Sequence, residues 1–244
     1  MSRLEVCLAI GGSDSCGGAG IQADLRVFAD LGALGCSAIT ALTAQNHREI
    51  SRIEAVSLAQ LDAELHAIFD AYDVKAVKTG MLLDVEHMAV ISACLGLYHV
   101  GQPLVVDPVM VSSSGRELLA PASVEALKHT LMRQATLLTP NLDEAAVLLS
   151  RSVGDAVEDA AALSLQMGCS VLLKGGHGAG RLYQDVLSER TGDISVFSHA
   201  KQQWSAYAAH GTGCRLASAI AAYLAQGECL HDACEKAVAY VQGR

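Results

Sequence analysis

Residues 205–227, SAYAAHGTGCRLASAIAAYLAQG, pass from small polar residues into an apolar run with helical spacing. At the junction stand Gly211, Thr212, Gly213 and Cys214. Two glycines let successive backbone N–H groups turn into one concavity, and the helix that follows leaves its first amides unpaired. Such a nest attracts an anion. Cys214 falls in the first helical turn, where the helix field favours a thiolate. A thiolate there, or a thiol acting through it, could take a proton from an attacking hydroxyl. The same residues also suit a plain turn in which Thr212 caps the helix.

Other stretches offer chemistry of a compatible kind. Lys174 ends an apolar run in LLKGGHG and precedes three glycines, where a lysine can neutralise phosphate as a point charge. Asp107, in VVDPVM, follows an apolar strand and can hold a divalent cation or a substrate hydroxyl; a strand-ending Asx turn uses the same residue. Asn141 and Glu144 in TPNLDE have the spacing of a capping box, and Glu144 could also aim at metal-bound water. Gln45 offers both a donor and an acceptor, suited to the edge of a heterocycle, or to neighbouring loop backbone. His177 reads as a polar loop residue and Lys78 as structural, with Gly80 and Met81 beside it as candidate pocket walls. His99, His129 and His231 read as ordinary exposed residues.

The loop GGSDSCGGAG, residues 11–20, holds five glycines in ten positions. Gly18 to Ala23 fits the dinucleotide pattern G-x-G-x-x-A, a weak signal alone. Against a dehydrogenase, Asp24 lies inside the following helix and no acid ends the second strand to hold a ribose. No P-loop is present, so a nucleotide would use the other glycine loops.

The elements that must position these residues alternate. Strands are expected at Glu5–Ile10, Ser37–Leu42, 74–80, 103–110, 135–141 and in CSVLLKGG. Helices are expected at Ile21–Leu31, 58–71, 85–98, 122–132, 142–150 and twice within 213–241, with a break near Gly227. Near-continuous apolar strands between helices predict a three-layer α/β/α sandwich with a mainly parallel central sheet. Two alternating runs around Thr191-Gly192-Asp193 predict a β-hairpin at one edge. Loops 11–20, 43–46, 107–115, 139–144 and 174–180 leave strands at their carboxyl ends, where such sheets bind ligands. One domain over residues 1–244 is expected.

Twenty-six acids against 17 bases give a net charge of -9, which argues against general affinity for nucleic acid or anionic lipid. The eight cysteines contain no C-x-x-C pair, no basic-then-apolar leader opens the chain, and no apolar run reaches the length of a membrane span. A reduced, cytoplasmic protein is expected.

With these stretches in hand, the sequence resembles the hydroxymethylpyrimidine/phosphomethylpyrimidine kinases of thiamin biosynthesis, within the ribokinase-like superfamily. GSDSCGGAGIQADL, ITALTAQN, VKTGML, DPVM, TPNLDEA, LLKGGH and HGTGC occur in the family's order. The resemblance implies the three-layer fold and transfer of the ATP γ-phosphoryl group to the hydroxymethyl group of 4-amino-5-hydroxymethyl-2-methylpyrimidine, and in many members to its monophosphate. It implies that Gln45 recognises the pyrimidine with Gly11, Asp24 and Met81 around it. It further implies that Thr139, Asn141, Glu144 and Lys174 serve ATP and Mg²⁺, with Asp107 and Glu144 at the metal. Gly211, Thr212 and Gly213 become the anion hole and Cys214 the catalytic base, in what is expected to be a homodimer. A thiol at that position narrows the substrate towards pyrimidine, pyridoxal and thiazole alcohols. A pyridoxal kinase of the same fold, or a catalytically impaired pyrimidine binder, are the neighbouring expectations. The sequence departs from the family at Tyr207, Ala208 and Ala209, where a basic residue and Asn often stand, and at Ser113, where many members have Lys. It also ends at Arg244, earlier than is usual, so a contribution from a terminal helix or lid is not expected.

Overall fold

A computed structural model describes residues 4–112, 115–177, 182–200 and 210–243; the departures at Ser113 and Tyr207–Ala209 lie outside them. Nine strands form one sheet in the order β3-β2-β1-β4-β5-β6-β7-β8-β9. They are β1 (Val6–Asp14), β2 (Leu34–Gln45), β3 (Ile50–Ala55), β4 (Val74–Thr79), β5 (Leu104–Val106), β6 (Leu137–Leu138), β7 (Ser170–His177), β8 (Leu182–Ser188) and β9 (Ile194–Ala200). The six central strands are mutually parallel; β3 and β8 run against them at the two edges, and β9 pairs antiparallel with β8. The expected hairpin is β8–β9, closed by Glu189 N donating to Asp193 O, with Gly192 at φ 99°.

The strands feed two cores by alternation. Val6, Leu8 and Ile10 enter one, Cys7 and Ala9 the other; Leu104 and Val106 are separated from Val105 in the same way. The first face is covered by α2 (Leu58–Ala71), α3 (Val85–Tyr98), α4 (Pro121–His129), α5 (Leu131–Gln134), α6 (Leu142–Leu149) and α7 (Ala156–Met167). The second is covered by α1 (Gly20–Asp30), α8 (Thr212–Ala225) and α9 (Leu230–Gln242). Side chains start several helices: Ser57 accepts from Gln60 N, Asp84 from His87 N, and Asp155 from Val157 N and Glu158 N.

The structure departs from the sequence expectation in ways that follow from local chemistry. β1 continues through Gly11–Asp14, so the first four residues of the expected loop are strand. Gly12 lacks the side chain that signals alternation, and a Cβ there would lie 3.0 Å from Met81 Sδ. β2 likewise runs on through Gln45, paired with the unforeseen edge strand β3, whose Arg52 and Glu54 hid its apolar alternation. β7 extends through His177, whose backbone pairs with Tyr183 rather than lying in a loop. β5 and β6 are short because Pro108 and Pro140 end their ladders. The helix expected over 122–132 breaks at Thr130, whose hydroxyl donates to Ala126 O. His99 is buried, with Nε2 against Pro103 O, not exposed. Among the described residues no helix is long and apolar enough to cross a membrane.

Candidate active site

The carboxyl ends of β1, β2, β4, β5, β6 and β7 meet the start of α8 around a cavity of about 410 Å³. Gly11, Asp24, Gln45 and Met81 line it, as do Asp107, Asn141, Glu144 and Lys174, and so do Gly211, Thr212, Gly213 and Cys214. Thr139 alone of the residues singled out stands behind the wall, fully buried, donating its Oγ1 to Asp107 Oδ1 at 3.1 Å.

Gly211 is the N-cap of α8 with φ 80°, and no side chain caps the helix. Thr212 is the first helical residue, not the cap. A Cβ at Gly211 would lie 2.1 Å from Gly18 O, so only glycine lets this turn approach the first glycine loop. A Cβ at Gly213 would lie 3.2 Å from Lys174 Nζ and 3.9 Å from Asp107 Oδ2. The helix start therefore faces a cation and an acid across very little space, an arrangement for an anion with its counter-charge beside it.

Cys214 corrects the expectation of a thiolate. Burial in a low-dielectric wall pushes its thiol up, and the nearby Lys78 ammonium offsets this only in part. It rests as a thiol, and becomes a base only after its proton has passed to solvent.

Lys174 Nζ donates to Asp107 Oδ1 at 2.8 Å. Burial alone would pull this lysine down, but Asp107 and Glu144 outweigh it and keep the ammonium charged. The capping box is present: Asn141 Oδ1 accepts from Glu144 N at 2.9 Å, and Glu144 Oε2 accepts from Asn141 N at 2.8 Å. Burial raises the Glu144 carboxyl to about 7, with Asp107 adding to the shift and Lys174 opposing it. Two buried acids that compete for one lysine make a site short of positive charge, which suits a divalent cation.

At the other end, Gln45 is held by its backbone: Ser15 Oγ donates to Gln45 O at 2.8 Å, and Gln45 N donates to Ser15 Oγ at 2.9 Å. Thr40 Oγ1 donates to Met81 O at 2.7 Å and fixes that wall. Asp24 lines the cavity as the resemblance implies, but not as a free acid. Its oxygens accept from Lys78 Nζ at 2.8 and 2.9 Å and from Ser218 Oγ at 2.7 Å, so its charge is already engaged. Lys78, read as structural from the sequence, lines the same cavity. Sequence reasoning missed Ser218, Asp14 and His210. The signal for Ser218 was a hydroxyl in an otherwise apolar helix face. Asp14 and His210, 196 residues apart in sequence, are joined at 2.9 Å with nothing local to announce it.

Residues 14–244 match the family described as phosphomethylpyrimidine kinase. The chain belongs to that family. A relative from Rhizobium meliloti (strain 1021), a hydroxymethylpyrimidine/phosphomethylpyrimidine kinase, is 45% identical over 240 residues, 97% of this chain and 88% of the relative. The crystal structure of phosphomethylpyrimidine kinase from Clostridium difficile 630 superposes with a TM-score of 0.84 at 36% identity, over 98% of both chains. The pyridoxal kinase of Staphylococcus aureus in complex with AMP-PCP and pyridoxal gives a TM-score of 0.87 at 30% identity, over 98% of this chain and 87% of that one. The fold is thus that of the ribokinase-like kinases. A kinase needs a phosphate-binding end and an acceptor end. Lys174 with the Gly211–Gly213 turn, and Gln45 with Met81, line the same cavity as the Cys214 thiol.

Proposed function

We propose that this protein transfers the γ-phosphoryl group of ATP to the hydroxymethyl group of 4-amino-5-hydroxymethyl-2-methylpyrimidine, and then phosphorylates the resulting monophosphate. The observation that carries this reading is the gathering of Gln45, Cys214, the Gly211–Gly213 turn, Lys174 and Asp107 on one cavity.

Gln45 presents its amide to the ring edge, with Gly11 and Met81 as walls and Asp24 fixed beneath by Lys78. Cys214 first loses its thiol proton to solvent, giving a thiolate that Lys78 stabilises; that thiolate accepts the proton of the substrate hydroxyl as its oxygen attacks phosphorus and returns to the thiol. The amides at Gly211–Gly213 and the Lys174 ammonium receive charge on the transferring group, which is where phosphoryl transfer needs the protein most. Asn141, Glu144 and Thr139 hold the nucleotide end in place, Thr139 through Asp107. Asp107 and Glu144 are the acids that fit Mg²⁺, which when bound neutralises phosphate oxygens.

An ADP-release assay offering the pyrimidine alcohol, pyridoxal and a thiazole alcohol in parallel tests the assignment. The pyrimidine is expected to give the highest kcat/KM. The superposition on a pyridoxal kinase at a TM-score of 0.87 favours one rival, and a preference for pyridoxal in the same assay establishes it instead. Pyrimidine binding by calorimetry without ADP release establishes an impaired binder. All eight cysteines are free, which supports a reducing, cytoplasmic setting, and the reading includes a homodimer that sedimentation analysis checks.

A further inference from the structure

Outside the atoms used above, the seam between the first glycine loop and the start of α8 carries a mixed cluster. Asp14 Oδ2, Cys16 Sγ and His210 Nε2 all lie within 4.8 Å of one another. His210 Nε2 is 2.9 Å from Asp14 Oδ2, and Cys16 Sγ donates to the same oxygen at 3.6 Å. We propose that Asp14, Cys16 and His210 form a binding site for one Zn²⁺ ion, with water as its fourth ligand.

Zinc bonds of about 2.0–2.3 Å in a tetrahedron set ligand atoms roughly 3.4–3.6 Å apart. The sulfur and Asp14 oxygen already stand at that separation, the imidazole has to retreat from that oxygen by about half an ångström, and the sulfur and imidazole nitrogen lie within 4.8 Å of each other. The carboxylate is preoriented: Oδ1 accepts from Cys16 N at 2.9 Å and Oδ2 from Ala19 N at 2.8 Å, the outer hydrogen bonds that steer a metal ligand. Asp14 and His210 are buried while Cys16 is exposed, so the site has fixed walls and an open side for entry. A thiolate with an imidazole selects zinc over the hard Mg²⁺ ion of a kinase reaction. On binding, the Cys16 thiol proton passes to solvent and the imidazole keeps its proton on Nδ1, leaving Nε2 for the metal. The ion would rivet residues 14–19 to the turn at Gly211. None of these three side chains is given a role at the reacting atoms, although the Gln45 side chain hydrogen-bonds the Asp14 carboxylate, so the two readings are separated by reading metal binding and not turnover.

The test uses the full-length protein without nucleotide, since ATP chelates metals. Titration calorimetry with Zn²⁺ is expected to show one ion per chain, and Co²⁺ alone is expected to give a thiolate-to-metal charge-transfer band. Cys16→Ser, at an exposed position that keeps the fold, should abolish the band and weaken Zn²⁺ binding by about tenfold or more; His210→Gln should weaken it similarly. His231→Ala removes a ligand from the exposed group His231, Asp232 and Glu235 and should change neither signal. Absence of saturable Zn²⁺ binding, a band that survives Cys16→Ser, or a band lost in His231→Ala overturns the site.

Discussion

Lys78 Nζ lies 2.8 and 2.9 Å from the two carboxylate oxygens of Asp24, and both side chains are 1% exposed at the base of the cavity that Cys214 lines. Burial alone would strip Lys78 of its proton, yet the Asp24 charge outweighs it and the ammonium persists. An ion pair held so deep needs both members. Lys78→Met leaves an uncompensated carboxylate and is expected to lower the unfolding free energy by about 3–5 kcal/mol, whereas Lys78→Met with Asp24→Leu recovers much of that loss. Urea denaturation of both variants decides the matter, and a double variant no more stable than the single one contradicts the pairing argument.

Cys214→Ala should lower kcat by roughly 10²-fold or more, the scale of a lost general base, while the pyrimidine KM stays near normal. Because burial raises the Cys214 thiol above its usual 9.0, its thiolate fraction grows as pH rises. The rate of the unaltered enzyme should therefore climb on the alkaline side, and Cys214→Asp should move that limb towards acid. Steady-state kinetics over pH reads both effects. Unchanged kcat in Cys214→Ala shows that the thiol only packs the start of the helix.

Gln45→Ala is expected to raise the pyrimidine KM about tenfold, the worth of one lost hydrogen bond to the ring edge, with kcat little changed. Calorimetric titration with the pyrimidine alcohol gives an independent reading. Equal affinity in the variant removes Gln45 from ring recognition.

The legible part of this chain was its alternation and its loop chemistry. Strands such as Val74–Thr79 and helices such as Leu58–Ala71 and Val85–Tyr98 emerge at the residues their periodicity predicts. The cavity collects residues that charge or hydrogen-bonding type marks in the sequence, Gln45, Asp107, Glu144 and Lys174 among them, together with Gly11 and Asp24, which only the family resemblance implies. What sequence hid has physical causes. Glycines at Gly11 and Gly12 conceal strand because they carry no side chain to alternate, and polar Arg52 and Glu54 conceal an edge strand half open to water. The helix Ala156–Met167 was passed over although Asp155 caps its start and Gly168 ends it at φ 73°. Asp24, which the resemblance sets beside the pyrimidine, does line the cavity, but its charge is engaged by Lys78 and Ser218, partners too distant in sequence to be read from it.

Glu144 couples the nucleotide end to pH. Its carboxyl sits at about 7 in the folded chain against 4.5 for an ordinary glutamate, so between those values the folded state binds more protons than the unfolded one. Stability contributed by the protonated form is full below about 4.5 and is lost as pH rises through 7. Raising pH from about 5 to about 7.5 should thus lower Tm more in the unaltered protein than in Glu144→Gln, which carries no such charge. Mg²⁺ should restore part of the loss at the higher pH in the unaltered protein alone. Differential scanning calorimetry with and without Mg²⁺ measures this, and parallel Tm profiles for the two proteins refute it.

Gly211 and Gly213, two positions apart at the start of α8, differ sharply in what they tolerate. At Gly211 an added methyl meets the carbonyl oxygen of Gly18 at 2.1 Å, and φ 80° strains any residue with a side chain. Backbone cannot step aside, so Gly211→Ala should both destabilise the chain and displace the start of α8, cutting kcat/KM by about 10²-fold or more. At Gly213 the methyl meets Lys174 Nζ at 3.2 Å, the far end of a flexible side chain, and helical geometry is unstrained. Gly213→Ala should therefore keep its Tm within a few degrees while raising the KM for ATP, because the displaced ammonium is the one that faces phosphate. Thermal melts with ATP-dependent kinetics on both variants separate the two effects. A Gly211→Ala protein as stable and active as the parent shows that the turn at α8 is not held against the first glycine loop.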